Sequence, residues 1–386
     1  MINNPPIGEF SGELKPYGKQ LPVENRRLKV AITIPAKNEA DTIWSTLHSL
    51  ASQVSKNGLI DPEKYEILVL CNHCSDNTLE RCLLFQELHP DFPLYIFETQ
   101  DPVINCVGAA RRLIMDLASK RLKGNGFIVM TDADTIADKY WLDAYLNIMP
   151  SPTDLVCGII EPDLKDLNKE AKHQLFQTRK YLDLVTRLES DLFPQDHDPW
   201  PRHSHNSGPN MAIRNSVYIK LGGMPPIACL EDIALYQKVI SNGYKVKHCS
   251  APIVTTSCRS SSRVPGGFGT QIKNWSNSLQ ESVEGLEKLT ERFKAYSEIR
   301  SYYEKPSNGL LNSFCKRLHF QPSAMRSLLR NHSRSSSLII YLEQVLKYHT
   351  PWNIAHPNIS LDKAIEQVSN YFSNFSQTIS SYSSSR

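Results

Sequence analysis

The sequence predicts an α/β fold: a mixed, mostly parallel sheet with helices on both faces, followed by a C-terminal helical extension. Short runs of β-branched and other apolar residues alternate with segments in which apolar residues recur every three or four positions. This alternation is typical of parallel strands joined by crossover helices. The chain has 386 residues and 40% hydrophobic residues, enough to form a sizeable core without disulfides or a metal.

The first part of the chain supplies four apolar runs that are short enough to be buried strands. Each of the first three is followed by a segment of helical periodicity or by a helix-capping residue. In a parallel sheet, ligands bind where loops leave the carboxyl ends of the strands. Strands are predicted at 29–34, 66–71, 95–97 and 127–130, and helices from Asp41, after Asp76 or Asn77, and at 108–122.

The pattern changes after Asp154, and four domains or segments are predicted. Short strands are expected at 155–160, 211–213, 246–249 and 253–256, with a long amphipathic helix at 175–192 between the first two. The last 14 residues contain seven serines and are expected to be disordered. The segments are an extended N-terminal arm at 1–27, the α/β domain at 28–275, a helical extension at 276–372 and a disordered tail at 373–386.

Composition excludes several classes of protein. The formal charge of +3 gives no case for a nucleic-acid binder. No apolar run approaches the ~18–20 residues of a membrane-spanning helix, and the N-terminus lacks the pattern of a signal peptide. The nine cysteines are therefore expected to be reduced thiols. The expected location is the cytoplasm, with peripheral contact at the inner face of the cell membrane as an alternative.

The motif Asp132-Ala-Asp134 follows a predicted buried strand directly. Two carboxylates two residues apart on a turn can address one ligand, and carboxylate oxygens suit a hard divalent cation. The alternative is an ordinary turn, where aspartate is common. The position at a strand end favours the ligand site.

Glu231-Asp232 precedes another helical pattern. These acids could simply complement the helix dipole in its first turn. Alternatively, one of them could be a general base that deprotonates an attacking hydroxyl. The spacing leaves both interpretations open.

Arg259 and Arg263 flank three serines and lead into a segment with three glycines in four residues, at 266–269. Such a loop can approach a ligand closely, and two arginines beside it could clamp a diphosphate. The alternative is a mobile surface turn with solvated arginines.

Histidines and cysteines also occur at spacings that metal sites use. His197, His203 and His205 lie in a proline-rich stretch, so surface or packed histidines are the favoured interpretation. Cys71 and Cys74 have C-x-x-C spacing, but no second ligand pair follows. They are expected to be small buried thiols at a strand end.

Five motifs together resemble those of family 2 glycosyltransferases, in order and in spacing. The resemblance covers roughly residues 28–275. Within the family, the sequence is similar to a subgroup of small soluble members of bacterial type. The motifs are Val-Ala-Ile-Thr-Ile-Pro-Ala-Lys-Asn-Glu at 30–39, Ile-Leu-Val-Leu-Cys-Asn-His-Cys-Ser-Asp-Asn-Thr at 67–78, Asn-Cys-Val-Gly-Ala-Ala-Arg at 105–111, Thr-Asp-Ala-Asp at 131–134, and Gly-Gly-Met-Pro at 222–225 followed by Glu231-Asp232.

The resemblance implies the Rossmann-like GT-A fold for 28–275, a nucleoside-diphosphate-sugar donor, a hydroxyl acceptor, Mn²⁺ or Mg²⁺, and inversion at the anomeric carbon. It implies that Asp134 ligates the metal, that Asp132 contacts the ribose or the metal shell, and that Asp232 is the base. The residues that it places at the donor are Pro35, Lys37, Glu39, Asn72, Arg111 and Asp132, and the loop arginines Arg259 and Arg263 are added to them. The candidate acceptor residues are His203, His205, Asn210, Glu231 and Trp275.

Two departures from the family pattern bear on specificity. The family often has aspartate at the position of Cys71, where it contacts the nucleobase, so the base is not assigned. The segment from Gln271 to Trp275 is similar to the Q-x-x-R-W motif of processive members, but Asn274 replaces the arginine. With no membrane helices, transfer of a single sugar is expected.

Three other functions are weighed against this one. A nucleotidyltransferase would want a glycine-rich loop after the first strand, where this chain has Pro-Ala-Lys-Asn-Glu at 35–39. A non-catalytic sugar-nucleotide binder would tolerate loss of Asp134 or Asp232, yet both are present. A zinc or redox protein would depend on the cysteines.

Overall fold

The computed structural model describes residues 12–23, 27–56, 58–122, 126–259, 268–276 and 282–383. The chain divides into two compact units. The first contains the described residues of Met1–Asp166, His205–Val239 and Tyr244–Gln271, and the second contains those of Leu167–Ser204, Ile240–Gly243 and Ile272–Arg386.

Thirteen strands form within the described residues, most of them in the first unit. They are β1 (Lys15–Tyr17), β2 (Val30–Ala36), β3 (Val54–Ser55), β4 (Gly58–Leu59), β5 (Tyr65–Asn72), β6 (Leu94–Thr99), β7 (Phe127–Met130), β8 (Thr135–Ala137), β9 (Leu155–Asp163), β10 (Met211–Arg214), β11 (Val246–Ser257), β12 (Ser282–Val283) and β13 (Ile359–Ser360).

Nine of these strands form one mixed sheet in the order β1-β6-β5-β2-β7-β10-β9-β11-β8. Strands β6, β5, β2 and β7 are parallel neighbours, and β9 and β11 are parallel to each other. Strand β10 is antiparallel to both β7 and β9, so six of the nine described strands run in one direction. The predicted mixed, mostly parallel sheet is confirmed.

Fourteen α-helices connect or follow the strands in the described part of the chain. They are α1 (Ile43–Ala51), α2 (Thr78–Leu88), α3 (Val107–Arg121), α4 (Trp141–Ile148), α5 (Lys169–Leu192), α6 (Asn215–Lys220), α7 (Glu231–Ser241), α8 (Phe268–Ser276), α9 (Leu286–Glu304), α10 (Asn308–Arg317), α11 (Pro322–Asn331), α12 (Ser335–Val345), α13 (Thr350–Ala355) and α14 (Leu361–Ser383). No helix formed by these residues is both long and apolar enough to cross a membrane.

The parallel strands are buried on both faces because helices cover both. Alternate residues of β2 and β5, such as Ile32 and Val69, pack in one cluster with Leu47 of α1 and Phe85 of α2. The intervening strand residues are buried too, and α3 packs on β2 and β5 outside that cluster. Strands of this kind are apolar over their whole length, which is the pattern that made them recognisable in the sequence.

The arm and strand β11 show two differences from the predicted elements. Residues Lys15–Tyr17 of the predicted arm pair antiparallel with β6 at the sheet edge. The two strands predicted at 246–249 and 253–256 form one strand, β11, whose register shifts between His248 and Ile253. Pro252 lies in this interval and has no N–H for the ladder, which explains why the apolar pattern is interrupted there.

The second unit is helical and has its own core. Apolar residues of α5, α9, α10, α12 and α14 pack together, among them Leu188, Phe293, Phe314 and Leu342. The predicted boundary at 275 assigned α5 to the first domain, whereas the structure packs it with the C-terminal helices. Helix α14 continues to Ser383, across most of the segment expected to be disordered.

Candidate active site

Three polar loops leave the carboxyl ends of neighbouring parallel strands. Pro35 and Ala36 at the end of β2 pair with Leu70 and Cys71 at the end of β5, and Thr33 of β2 pairs with Met130 of β7. The loops 35–39, 71–76 and 131–134 therefore emerge at one edge of the sheet, as the sequence predicted.

The loop after β2 is held by the loop after β5. Asn38 has a φ of 55°, in the left-handed region that asparagine tolerates, and it turns the chain before Glu39. The backbone N–H of Glu39 donates to Thr78 Oγ1 at 2.8 Å, and that of Ala40 donates to Asp76 Oδ2 at 3.0 Å. These bonds fix the position of Glu39, a residue whose side chain is only 10% exposed.

Asp132 and Asp134 lie in the turn between β7 and β8. The Thr46 hydroxyl on α1 donates to the carbonyl of Ala133 at 2.9 Å, and the N–H of Thr135 donates to the carbonyl of Asp132 at 3.3 Å. The turn is therefore anchored on both sides. The side chains of Asp132 and Asp134 are 29% and 16% exposed, so both carboxylates remain accessible at the sheet edge.

Arg111 on α3 joins the Asp-x-Asp turn to the Glu-Asp pair. Its guanidinium donates through Nη2 to Asp132 Oδ1 and through Nε to Glu231 Oε1, the latter at 2.8 Å. Burial lowers the pKa of this guanidinium, but the charges of Asp132, Glu231 and Asp232 outweigh burial and raise the pKa above its ordinary value. The resemblance placed Arg111 near the nucleoside; in the structure it is a buried cation between carboxylates.

Glu231 and Asp232 form the first turn of α7. The turn follows Leu230, which has a φ of 57°. Burial raises the pKa of Glu231, partly offset by Arg111. Asp232 accepts the N–H of Gly208 through Oδ2 at 2.7 Å and that of Ile233 through Oδ1 at 2.8 Å. These bonds hold the Asp232 carboxylate in place, and each of its oxygens retains a second acceptor site.

Gly208 is a residue of this site that sequence reasoning missed. A Cβ added to it would lie 2.7 Å from Nη2 and 2.9 Å from Cζ of Arg111, closer than real Cβ contacts come. Only glycine lets the backbone approach the guanidinium closely enough to donate to Asp232. A Gly-Pro pair in a polar loop was the available signal, but it indicates a turn equally well.

Arg112 was also missed, and it holds the glycine turn of the fifth motif. Its Nη1 donates to the carbonyls of Gly222 at 2.5 Å and Met224 at 3.1 Å, while Nε pairs with Asp116 at 2.6 Å. Gly223 has a φ of 81°, and a Cβ there would lie 2.5 Å from Arg112 Cζ. The turn that precedes Glu231 is therefore clamped to α3.

Arg259, at the end of β11, contacts two of the carboxylates. Its Nη2 lies 2.6 and 2.9 Å from the two oxygens of Glu39 and 2.9 Å from Asp134 Oδ2. The pKa of Asp134 is raised to about 7, mainly by burial and further by the charges of Asp132 and Glu39. Arg259 acts in the opposite direction and only partly offsets this rise. Arg263 and most of the glycine-rich loop lie outside the described residues.

Cys71 and Cys74, at the end of β5, are free thiols; Cys71 is buried and Cys74 is half-buried. Cys71 hydrogen-bonds with Cys74, which favours its thiolate, but its bond with Cys82 and its burial prevail and raise its pKa. Next to it, the side-chain oxygen Oδ1 of Asn72 is buried and has no hydrogen-bond partner among the described residues. The structure thus leaves one buried acceptor unsatisfied at the strand end where the resemblance expected donor contacts.

Two of the expected acceptor residues have structural roles that the prediction did not foresee. Asn210 is 1% exposed, and its amide accepts from Trp141 and Tyr145 and donates to two backbone carbonyls, all at 2.7–3.0 Å. Its hydrogen-bonding groups are therefore engaged in the core. Trp275 is 2% exposed and belongs to the second unit.

The remaining predicted residues lie as follows. His205 accepts the N–H of Ile160 through Nδ1 at 2.9 Å and is half-buried. His203 is half-buried and falls in the second unit. Pro35 is half-buried and Lys37 is exposed in the loop after β2. Nothing in these contacts fixes a ligand-binding role for His203 or His205.

The carboxylates at this sheet edge are candidate ligands for a metal ion. The described residues contain no group of three or more His, Cys, Asp or Glu side chains that could hold a metal ion by themselves. Asp132 and Asp134 supply carboxylate oxygens. Divalent cations such as Mg²⁺ and Mn²⁺ are often bound by only one or two protein carboxylates, with phosphates of the substrate as further ligands. The two carboxylates therefore fit a cation whose remaining ligands come from a bound molecule.

Comparison with known proteins agrees with the resemblance seen in the sequence. Residues 31–222 match the model of glycosyl transferase family 2. A probable glycosyltransferase from Bacillus subtilis (strain 168), YdaM, is 26% identical over 226 residues, or 58% of this chain, and the match spans 50% of the length of that relative.

Solved structures of low sequence identity are also similar. S. aureus TarS 1-349 in complex with UDP-GlcNAc has 16% identity and a TM-score of 0.44, with 83% of this chain and 93% of that chain covered. The mannosyltransferase PcManGT from Pyrobaculum calidifontis, in complex with GDP-Man and Mn²⁺, has 14% identity and a TM-score of 0.44, with 90% and 87% covered.

The five motifs, the sheet that positions them and the family match identify one domain. Residues 31–222 of this chain, about half of its length, belong to glycosyl transferase family 2.

Proposed function

We propose that this protein is an inverting, metal-dependent glycosyltransferase. It would move one sugar from a nucleoside diphosphate to a hydroxyl acceptor. The observation that carries the proposal is the group of carboxylates at one sheet edge, in which Arg111 joins Asp132 to Glu231 and Arg259 joins Glu39 to Asp134. Acids and arginines in alternation suit an anionic donor that arrives with a cation.

Asp134, assisted by Asp132, is the proposed site of the Mn²⁺ or Mg²⁺ ion. When bound, the cation supplies positive charge that stabilises the departing diphosphate. The protein holds the two carboxylates through the anchored turn between β7 and β8 and through Arg111. Asp132 is paired with Arg111, whereas Asp134 shares the nitrogen of Arg259 with Glu39, so Asp134 is proposed as the principal ligand.

Asp232 is the proposed general base. Two backbone N–H groups orient its carboxylate, at 2.7 and 2.8 Å, and its partly exposed side chain can still accept from an acceptor hydroxyl. Glu231 and Arg111 are proposed as positioning residues, since they lie deeper and bond to each other. The dipole interpretation of the two acids is compatible with this role, because a base can also lie at a helix N-terminus.

The donor nucleoside is proposed to bind between the loops after β2 and β5. Pro35, Lys37 and Glu39 come from the first loop and Asn72 from the second strand end. The unsatisfied Oδ1 of Asn72 supports this placement, because an N–H of a ligand would satisfy it. Cys71 supplies no charged acceptor here, so the nucleobase is not assigned.

Two competing functions would release different products from this one. A nucleotidyltransferase would release pyrophosphate from a nucleoside triphosphate, and a non-catalytic binder would release nothing. Single-sugar transfer, the absence of a nucleic-acid partner and the cytoplasmic location stay predictions.

A donor panel tests the proposal. The protein is incubated with UDP-, GDP- and TDP-sugars and Mn²⁺, with cell extract as the source of acceptors, and the released nucleoside diphosphate is measured. We expect release from at least one donor, and its loss in Asp232→Asn. Absence of release with every donor, or full turnover by Asp232→Asn, would overturn the proposal.

A further inference from the structure

One nitrogen of Arg259 lies between two carboxylates at the sheet edge. Its Nη2 atom is 2.6 and 2.9 Å from the oxygens of Glu39 and 2.9 Å from Oδ2 of Asp134. The side chains of Arg259, Glu39 and Asp134 are 27%, 10% and 16% exposed. A positive group therefore already lies against the carboxylate to which the proposed function assigns the divalent cation.

The guanidinium and a divalent cation compete for Asp134. A divalent cation on Asp134 would lie beside the Arg259 guanidinium, and like charges that close together at a partly buried site repel each other. Arg111 cannot relieve the repulsion, because it is itself positive and is held by Asp132 and Glu231. The cation is therefore expected to bind Asp134 well only after Arg259 moves away from it.

Arg259 has donor groups to offer elsewhere. Its described ion pairs and side-chain hydrogen bonds all use Nη2, so Nε and Nη1 make no such contact with the residues that the structure describes. A guanidinium presents its N–H groups in a planar fork that matches phosphate oxygens. Glu39 contacts Nη2 with both oxygens and can keep hold of the side chain while its other nitrogens turn to a phosphate.

We propose that Arg259 is an exchangeable counter-cation. It holds Glu39 and Asp134 together before the metal binds, and it leaves Asp134 for the donor diphosphate when the divalent cation arrives. The inference rests on the proposed function for the identity of the donor, but not for the competition with a cation. It assigns Arg259 as a residue that makes metal and donor binding depend on each other.

Metal binding without nucleotide tests the exchange directly. Binding of Mn²⁺ alone is measured by the loss of its free signal in electron paramagnetic resonance, for the wild type, Arg259→Gln and Arg259→Lys. We expect Arg259→Gln to bind Mn²⁺ about tenfold more tightly, because the competing charge is gone. Arg259→Lys keeps the charge and is expected to remain near the wild type.

Nucleotide binding provides the second readout. With saturating Mn²⁺, Arg259→Gln should bind UDP or GDP, whichever the wild type binds better, about tenfold more weakly. The matched control is Arg27→Gln, because Arg27 also pairs with two carboxylates, Asp61 and Glu63, but lies at the exposed surface. It should change neither affinity.

Each other outcome has a defined meaning. Equal or weaker Mn²⁺ binding by Arg259→Gln, or no Mn²⁺ binding by any of the proteins, would overturn the exchange. Donor binding that needs no metal and is lost in Arg259→Gln would also overturn it, since Arg259 would then replace the cation permanently. Tighter Mn²⁺ binding with no nucleotide binding at all would keep the competition but contradict the proposed function. Circular dichroism on each variant shows that the protein is folded.

Discussion

Two arginines, one in each unit, are each paired with two carboxylates. Arg111 in the first unit contacts Asp132 and Glu231, and its side chain is 5% exposed. Arg292 in the second unit contacts Glu284 at 2.7 Å and Glu343 at 3.8 Å, and its side chain is 16% exposed. For both, burial lowers the pKa of the guanidinium and the neighbouring carboxylates raise it further than burial lowers it.

The surroundings of the two arginines differ. Arg292 lies on α9, and its guanidinium carbon is 4.7 Å from the ring of Phe293 and 5.9 Å from that of Tyr296, inside a helical core. The carboxylates of Arg111 come from loops and a helix start that meet at the carboxyl edge of the sheet. The two clusters are therefore alike in pairing and burial, and the position of Arg111 at the carboxyl edge of the sheet is what favours a ligand site there.

The largest expected effect separates the two clusters by activity. Asp232→Asn should lower the rate of transfer by about 10²–10⁴-fold, because the substituted amide cannot take the acceptor proton. Glu343→Gln in the second cluster is the matched control and should transfer at the wild-type rate. Nucleoside diphosphate release under saturating donor measures both, and equal losses in the two variants would remove the distinction drawn here.

Replacing each arginine tests the same distinction by stability. Arg111→Met should lower the free energy of unfolding by about 3–5 kcal/mol, because it leaves the buried Glu231 carboxylate without a counter-charge. Arg292→Met should cost less, about 1–3 kcal/mol, since both of its carboxylate partners are more exposed than Glu231. Urea unfolding followed by circular dichroism checks these values. Activity per folded molecule should fall only in Arg111→Met; a similar fall in Arg292→Met would place that cluster in the site too.

Two glycine substitutions give a smaller effect. Gly208→Ala should lower the free energy of unfolding by about 1–3 kcal/mol, because the new methyl group would displace the Arg111 guanidinium. In the second unit, the nearest atom to a Cβ on Gly309 is 3.9 Å away, so Gly309→Ala should be neutral or stabilising by up to about 1 kcal/mol. Thermal unfolding measures the difference, and equal melting temperatures would show that the contact at Gly208 relaxes without strain.

The smallest expected effect is on the stability at acidic pH, through a histidine of the second unit. Burial lowers the pKa of His356 below its ordinary 6.5, so the unfolded chain binds the proton more readily than the folded one. Stability should therefore fall as the pH drops through and below 6.5. His356→Gln should reduce this loss between about pH 7 and 5. The exposed His173→Gln is the control, and the same pH profile in both variants and the wild type would contradict the assignment.

Much of the fold could be predicted from the sequence because buried parallel strands are apolar throughout. Strands β2, β5 and β7 and the loops that follow them were recognised in this way, and they account for the sheet edge. The helices that pack against α5 could not be predicted, because an apolar stripe shows that one face of a helix is buried but does not show which elements cover it. The interruption at Pro252 likewise divided one strand into two apparent ones.

The sequence predicts residues for the candidate site but not their arrangement. The motifs predict roles for Asp132, Asp134 and Asp232, and each of these residues follows a strand or begins a helix. The contact between Arg111 and Glu231 joins residues 120 positions apart, and no local pattern records it. Gly208 matters only because of the guanidinium beside it. Asn210 was predicted at the acceptor site because its hydrogen-bond partners in the core are distant in sequence, and no local pattern shows that its amide is fully bonded.

The central claim is that the carboxylates at the sheet edge form a cation-dependent site for a nucleoside diphosphate. Calorimetric titration of UDP, GDP and dTDP into the wild type, with Mn²⁺ and with a chelator, and into Asp134→Ala tests it most directly. The account predicts that at least one nucleotide binds with Mn²⁺, and that chelation or Asp134→Ala weakens this binding at least about tenfold. Failure of all three nucleotides to bind, or equal affinity under all conditions, would contradict it.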